Sequence, residues 1–118
     1  LPKVIIAVDH KRVKGIQKII KDFPKIKTII LDDAFQHRSV KIGFNILLCD
    51  YNNPIFEDYI MPLGKLRESR KGVKRADCVI VTKCPESLQD KEANDIEKKL
   101  NCEDVFFTKI KSNVPYFL

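Results

Sequence analysis

The sequence predicts an α/β fold in which a mostly parallel sheet lies between layers of helices. Along the 118 residues, apolar runs of strand length alternate with stripes of helical spacing, which is typical of layered α/β proteins. These runs are apolar throughout, as expected of parallel strands that are buried on both faces. No repeat or Gly/Ser linker divides the chain, so we predict a single α/β segment over residues 1–118.

The first half of the chain is predicted to contain three strands and one helix. Residues 4–9 (VIIAVD), 28–31 (TIIL) and 44–51 (FNILLCDY) are apolar runs of strand length. Residues 12–23 (RVKGIQKIIKDF) repeat apolar side chains at helical spacing, which predicts an amphipathic helix. Its apolar stripe consists of Val13, Ile16, Ile19, Ile20 and Phe23.

The second half is predicted to contain two more strands and a second helix. Residues 78–83 (CVIVTK) and 104–110 (DVFFTKI) are the strands, and residues 87–100 form the helix, with Ser87 as its N-cap. Residues 52–77 are too long for a passive turn and carry too many apolar side chains for disorder. We therefore expect this stretch to pack against the domain and to present functional groups.

Composition indicates a globular domain with a basic balance. The formal net charge is +6 and 44% of the residues are hydrophobic. No apolar run approaches the about 18 residues that a membrane span needs. The four cysteines form no C-x-x-C pair and lie mostly in apolar segments, which favours reduced, buried thiols over a zinc site. The charge suits a polyanion, a nucleotide or an anionic membrane surface, although exposed lysines on helices produce the same excess.

Carboxylates follow several of the predicted strands. Asp9, Asp32, Asp33 and Asp50 fall at carboxyl ends of strands, where ligands bind in open α/β sheets. The run IILDD has the shape of a Walker B element, whose Asp holds Mg²⁺ at nucleotide phosphates. Its usual companion, the phosphate-loop pattern G-x-x-x-x-G-K-[ST], is absent from these residues. For Asp9 and Asp50 an ordinary turn role is the better explanation, because Asp side chains bond nearby backbone.

A basic cluster lies within the long irregular stretch. It has an anion-binding composition, since Arg side chains grip phosphate oxygens in two places and a neighbouring Glu orients the Arg or binds a metal. The alternative is a solvated basic helical turn that leads into the next strand. The cluster consists of Lys65, Arg67, Arg70, Lys71, Lys74 and Arg75, with Glu68 as the one acid among them.

Four motifs occur in an order that resembles the tetraacyldisaccharide 4'-kinase family, which acts on lipid A precursors. They are LDDAFQHR (31–38), ILLCDY (46–51), MPLGKLRES (61–69) and KRADCVIVTKCP (74–85). The resemblance covers nearly the whole chain. This sequence departs from the family pattern at Ala34, Leu63, Lys65 and Ser69, and these changes leave every candidate ligand in place.

The resemblance implies a membrane-associated phosphate-loop kinase that transfers the γ-phosphate of ATP to the 4'-hydroxyl of a tetraacyldisaccharide 1-phosphate. It implies a three-layer sheet of P-loop NTPase type, with ATP and Mg²⁺ as cofactors and an anionic glycolipid as partner. The family works peripherally at the cytoplasmic face of the bacterial inner membrane, through an N-terminal part absent here. Because the Walker A loop and the C-terminal part are also absent, we expect this chain to be a soluble central segment, incomplete in fold and inactive alone.

The resemblance also implies a set of site residues. It assigns Asp32 and Asp33 to the Mg²⁺ and nucleotide site, with Glu68 in the same neighbourhood. Asp33 and Arg67 are the implied catalytic residues. The implied substrate-binding residues, near phosphate or the sugar head group, are Gln36, His37 and Arg67. A local role for His37 in capping its turn stays open.

Two other functions are compatible with parts of the pattern. A different phosphate-loop kinase or GTPase would share the Walker B shape. A non-catalytic basic α/β module would bind a polyanion through the basic cluster. Single-strand nucleic-acid binders interleave aromatic residues for base stacking, and none lies between Leu63 and Ala76, so we predict no nucleic-acid partner.

Overall fold

The computed structural model describes residues 4–111 and shows an α/β arrangement with a small parallel sheet. The chain divides after Ile42 into two compact units, which we call the first and the second unit and describe separately. Within the described residues, no helix is long and apolar enough to cross a membrane. The elements are α1 (Arg12–Asp22), β1 (Ile46–Asp50), a 3₁₀ helix (Arg70–Arg75), β2 (Cys78–Thr82), α2 (Asp90–Leu100) and β3 (Val105–Phe107).

The first unit contains α1, and the predicted helix is confirmed there. Asp9 lies just before this helix, and its Oδ1 accepts a hydrogen bond from the backbone N–H of Lys11 at 2.7 Å. The helix ends at Asp22, and Phe23 donates its N–H to the carbonyl of Ile19 at 2.8 Å. Pro24 follows, and the residue before a proline disfavours helical backbone.

The two strands predicted in the first unit are wrong. Residues 4–9 and 28–31 are not β-strands and join no sheet among residues 4–111. An apolar run becomes a strand only when a neighbour supplies hydrogen bonds for its backbone, and no described segment does so here. The side chains of Val8 and Ile30 are accordingly 96% and 89% exposed.

The second unit contains a three-stranded parallel sheet in the order β1-β2-β3. Its register pairs Leu48 with Ile80 and Ile80 with Phe106. These three strands confirm the predicted ones with shorter ends. The N-cap of α2 is Gln89 and not Ser87, so that prediction is wrong, and the Gln89 side chain makes no capping hydrogen bond.

One face of this sheet builds the core of the second unit. The buried side chains that meet there are Cys49, Val73, Val79, Val81, Cys84 and Leu100. On the opposite face, Leu48 and Phe106 are 64% and 54% exposed, so burial on both faces is not observed among the described residues. The carboxyl ends of the parallel strands lie at one edge of the sheet, as the α/β prediction required.

The cysteines behave as small hydrophobic residues. All four are free thiols; Cys49, Cys78 and Cys84 are buried and Cys102 is half-buried. Burial raises the pKa of the Cys49, Cys78 and Cys84 thiols, because the thiolate loses solvation. The predicted role as reduced, buried thiols is confirmed.

Candidate functional site

The paired carboxylates of the first unit lie in a turn that directly follows residues 28–31. Asp32 and Asp33 are both exposed, and the backbone of Asp33 is left-handed, with φ at 46°. Asp tolerates this conformation better than most residues, yet it is uncommon and clusters at functional sites. The turn therefore holds two hard oxygen ligands side by side in a conformation that local preferences alone do not favour.

Hydrogen bonds within the turn hold Gln36 and His37 next to these acids. The Gln36 side chain donates from Nε2 to the carbonyl oxygen of Asp33 at 3.5 Å. The backbone N–H of His37 donates to the carbonyl of Ala34 at 2.9 Å, and Ala34 is buried. Burial of this small residue anchors the turn while its polar side chains stay at the surface.

His37 also lines a cleft of about 520 Å³ at the start of α1. Its other lining residues are His10, the basic Lys11, Arg12 and Lys14, and the neutral Val13, Gln17 and Ser39. The first turn of α1 carries no acidic residue, although the Asp9 carboxylate accepts the N–H of Lys11 just before it. Three basic side chains make the cleft compatible with an anionic group such as phosphate, and a substrate-binding role of His37 stays a prediction.

A larger cavity in the first unit, of about 750 Å³, is mainly apolar. It lies between residues 4–9, α1 and residues 26–32, with Asp9 and Asp32 among its lining residues. The cavity lies beside residues 4–9 and 28–31, which pair with no strand among the described residues. Its lining is mostly aliphatic, so away from Asp9, Arg12, Thr28 and Asp32 it offers a charged ligand no polar side-chain partner.

The second unit holds Arg67 and Glu68, between residues 59–66 and the 3₁₀ helix. Arg67 is exposed, whereas Glu68 is half-buried. Arg75 donates from Nη2 to both carboxylate oxygens of Glu68, at 2.7 and 2.9 Å. Each carboxylate oxygen has further acceptor capacity, so this pair orients Glu68 without excluding a metal or another donor.

Sequence reasoning named Arg75 only as one of several basic residues and missed its role toward Glu68. Gly72 supports the same geometry, because a Cβ there would lie 2.8 Å from the Glu68 Oε1 atom. Ser69 starts the 3₁₀ helix by accepting the N–H of Lys71 at 3.4 Å. The sequence signal that was available is the spacing of seven residues between Glu68 and Arg75, which the two turns of the 3₁₀ helix and the residue before it bring together.

Asp50, at the end of β1, and Asp9, which ends no strand in the structure, behave as turn residues. Asp50 accepts the backbone N–H of Asn52 at 2.9 Å, two residues further on, as Asp9 does with Lys11. Asp50 also forms an ion pair with Lys83, whose hydrogen bond holds the pKa of the Asp50 carboxyl below its ordinary value. The turn explanation is therefore sufficient for both residues.

The structure thus brings the predicted site residues together in two groups. Asp32, Asp33, Gln36 and His37 share one turn of the first unit, and Arg67 and Glu68 are neighbours in the second unit. Within residues 4–111, no three His, Cys, Asp or Glu side chains come together as a metal site. Mg²⁺ commonly uses only one or two protein carboxylates plus phosphate oxygens and water. The adjacent, exposed acids of the first unit fit that requirement.

Comparisons with known proteins agree with the order of motifs. The family model for tetraacyldisaccharide-1-P 4'-kinase matches residues 1–114. A tetraacyldisaccharide 4'-kinase from Flavobacterium johnsoniae is 44% identical over 119 residues, covering 98% of this chain and 35% of that protein. One from Bacteroides thetaiotaomicron is 49% identical over 102 residues, covering 85% of this chain and 27% of that protein.

A third such kinase, from Flavobacterium psychrophilum, is 45% identical over 114 residues, covering 92% of this chain and 33% of that protein. The chain spans about a third of the length of the curated relatives it matches. No solved structure matches it.

Proposed function

Because the chain belongs to the tetraacyldisaccharide-1-P 4'-kinase family, we propose that it is part of an enzyme that phosphorylates a lipid A precursor. The reaction transfers the γ-phosphoryl group of ATP to the 4'-hydroxyl of a tetraacyldisaccharide 1-phosphate. The family match over nearly the whole chain carries this proposal. The acidic turn supports it, since its two adjacent carboxylates suit Mg²⁺ at nucleotide phosphates.

Phosphoryl transfer depends mainly on positioning and on neutralising charge around the transferred group. Asp32 and Asp33 would hold Mg²⁺, which supplies that neutralisation when it is bound. Gln36 supports the turn through the Asp33 carbonyl, and His37 lies in a cationic cleft where it meets a phosphate or the sugar head group.

Arg67 and Glu68 are the proposed site residues of the second unit. Arg67 binds a phosphate oxygen through its guanidinium, which is always charged and matches phosphate geometry. Glu68 is proposed to bind the metal or the nucleotide, and Arg75 holds its carboxylate at 2.7 Å. Arg75 is a positioning residue by this assignment.

We further propose that the intact protein has the three-layer, P-loop NTPase type of sheet, to which this chain contributes a central segment. The phosphate loop is not among these 118 residues, so the chain alone lacks the groups that hold the β- and γ-phosphates and does not transfer phosphate. The glycolipid substrate places the intact protein at the cytoplasmic face of the inner membrane, bound peripherally through another part of the protein.

The decisive experiment replaces Asp33 by Asn in the intact protein and measures transfer of labelled γ-phosphate to the lipid acceptor. We expect a loss of at least about a hundredfold, because a preorganised electrostatic contact to the transition state is removed. Asp95→Asn is the matched control, since Asp95 is an exposed acid on α2, in the second unit, and the proposal gives it no role. Equal turnover of the Asp33 variant and the control would show that Asp33 does not hold the metal.

A further inference from the structure

The cations of the basic cluster differ in what surrounds them within the second unit. Arg75 is bonded to the Glu68 carboxylate. Arg70, the first residue of the 3₁₀ helix, donates from Nε to the carbonyl oxygen of Asp58 at 2.7 Å. Its guanidinium also lies 5.0 Å from the centroid of the Tyr59 ring. Because a planar guanidinium that stacks on a ring and donates a hydrogen bond is fixed in direction as well as in position, Arg70 is a structured contact and not a solvated charge.

Asp58 also holds the other end of the stretch formed by residues 65–70, which we call the 65–70 segment. The backbone N–H of Lys65 lies 3.2 Å from each of the two carboxylate oxygens of Asp58. The Asp58 Oδ1 also accepts the N–H of Tyr59 at 2.8 Å, which fixes the carboxylate against its own backbone. The 65–70 segment is therefore bonded to one residue at both ends, through the Lys65 N–H and the Arg70 side chain.

Arg67 lies between these two attachment points. A segment that is bonded at both ends keeps fewer backbone conformations than a segment with one free end, so the position of the Arg67 backbone is restricted. Glu68, the next residue, has a holder of its own, because Arg75 bonds both of its carboxylate oxygens, at 2.7 and 2.9 Å. The bonds to Asp58 thus restrict the residue that is proposed above to bind a phosphate oxygen.

We propose that Asp58 and Arg70 form a clamp that positions Arg67 for phosphoryl transfer, an inference that rests on the function proposed above. Neither clamp residue touches the reacting groups, so both are positioning residues. Tyr59 supports the clamp by holding the Arg70 guanidinium in place. Such positioning matters because a displacement of about 1 Å at a catalytic group costs about a hundredfold in rate.

Direct binding of a substrate phosphate by Arg70 is the alternative. An arginine in that role turns its donors toward the ligand, whereas the Arg70 Nε is directed at the Asp58 carbonyl and the guanidinium stacks on a ring. The two roles differ in their dependence on Arg67. A clamp acts through Arg67 and loses its effect when that side chain is removed, whereas a phosphate-binding Arg70 would act without it.

The experiment measures transfer of labelled γ-phosphate to the lipid acceptor by the intact protein. Arg70→Ala should lower kcat by about tenfold and change the KM for the acceptor by less than about twofold. Arg67→Ala should lower kcat by at least about a hundredfold, because it removes a preorganised contact. In the Arg67→Ala background, Arg70→Ala should cost less than about twofold, since the clamp then has no guanidinium to position.

The two other members of the clamp are tested separately. Asp58→Ala releases the Lys65 end of the segment and should lower kcat by about tenfold, while Asp58→Asn should restore most of the rate because its amide oxygen still accepts backbone N–H groups. Tyr59→Ala removes only the ring beside Arg70 and should lower kcat by about threefold. Tyr59 is 63% exposed, so this change leaves the core intact.

Lys98→Ala and Asp95→Ala are the matched controls, because both residues are exposed on α2 and have no role in the proposed site; their rates should equal that of the wild type. Far-UV circular dichroism checks the fold of each variant. If Arg70→Ala does not fold, Tyr59→Ala with and without Arg67→Ala takes its place in the comparison.

The outcomes separate the clamp from the site on which it rests. A wild-type rate of Arg70→Ala, or the same loss with and without Arg67, overturns the clamp and leaves the proposed site standing. A raised KM for the acceptor at unchanged kcat would assign Arg70 to substrate binding and would also overturn the clamp. Unchanged turnover of Arg67→Ala would remove Arg67 from the proposed site, and the clamp would be rejected with it.

Discussion

Residues 59–66 form a loop, the 59–66 loop, that is closed by the hydrogen bond from the Leu66 N–H to the Tyr59 carbonyl, and replacement of Gly64 by Ala tests how it is held closed. The position needs glycine for space and not for a left-handed backbone, since no glycine here has a positive φ. A Cβ at Gly64 would lie 2.2 Å from the carbonyl oxygen of Tyr59 and 2.3 Å from Oδ1 of Asp58. Both atoms accept the hydrogen bonds that close the loop, so the methyl group has to displace them.

The expected cost follows from the bonds that are lost. Displacement breaks the bond from Leu66 N–H to the Tyr59 carbonyl and the bond from Lys65 N–H to Asp58. At about 0.5–1.5 kcal/mol for each of these and for the Gly64 N–H to Ile60 bond, the loss is about 1.5–4.5 kcal/mol. Reduced entropy of the unfolded chain offsets about 0.4–1 kcal/mol of it. The free energy of unfolding should fall by roughly 0.5–4 kcal/mol.

Gly43→Ala is the matched control, because no atom lies within 4 Å of a Cβ built there. That variant should gain about 0.4–1 kcal/mol through the unfolded state alone. Urea unfolding followed by far-UV circular dichroism separates the two variants. With a urea m-value of about 1–3 kcal/mol/M, Gly64→Ala should move the midpoint down by about 1 M and Gly43→Ala slightly up. Equal shifts of the urea midpoint in both variants would show that a Cβ at Gly64 meets no close contact in the folded protein.

Three further predictions concern the second unit. In a double-mutant cycle of Arg75→Ala and Glu68→Ala, the coupling energy should be about 0.5–1 kcal/mol, and an energy of zero in urea unfolding would show that the ion pair does not hold Glu68. The lowered pKa of Asp50 contributes stability that is present above its unfolded pKa and is lost as the pH falls through the lower folded pKa. Asp50→Asn should therefore reduce the loss of unfolding free energy at acid pH. An unchanged pH dependence would exclude the Asp50–Lys83 pair as the cause of that loss. Half-buried Cys102 should react first with iodoacetamide in the native chain, with all four thiols reacting in urea; early labelling of a buried thiol, seen by mass spectrometry, would contradict the burial pattern.

Elements whose signal is local were predictable from the sequence. Helix α1 follows from apolar side chains at helical spacing and from the Phe23-Pro24 pair that ends it. Strand β2 follows from its continuous apolar run. The order of four motifs predicted the family that the comparisons confirmed. Each of these signals lies within a few neighbouring residues or in their order along the chain.

Some features of the candidate site could also be predicted from neighbouring residues alone. Asp9 and Asp50 each bond a backbone N–H two residues further on, as Asp residues in turns commonly do. The adjacency of Asp32 and Asp33 is likewise a property of the chain. The left-handed backbone of Asp33 was not predictable, because it accompanies the burial of the neighbouring Ala34, which the local sequence does not specify.

What the sequence by itself determined is the identity and order of the polar groups, the helices and the strand-forming runs. Only the tertiary structure decided which runs found a partner: residues 78–82 pair on both sides, whereas residues 4–9 and 28–31 join no sheet among residues 4–111. It also decided that Arg75 holds Glu68 and that Leu63 stays in solvent. The physical reason is that backbone pairing, ion pairing and burial each depend on a second group elsewhere in the chain, which the local pattern of residues does not specify.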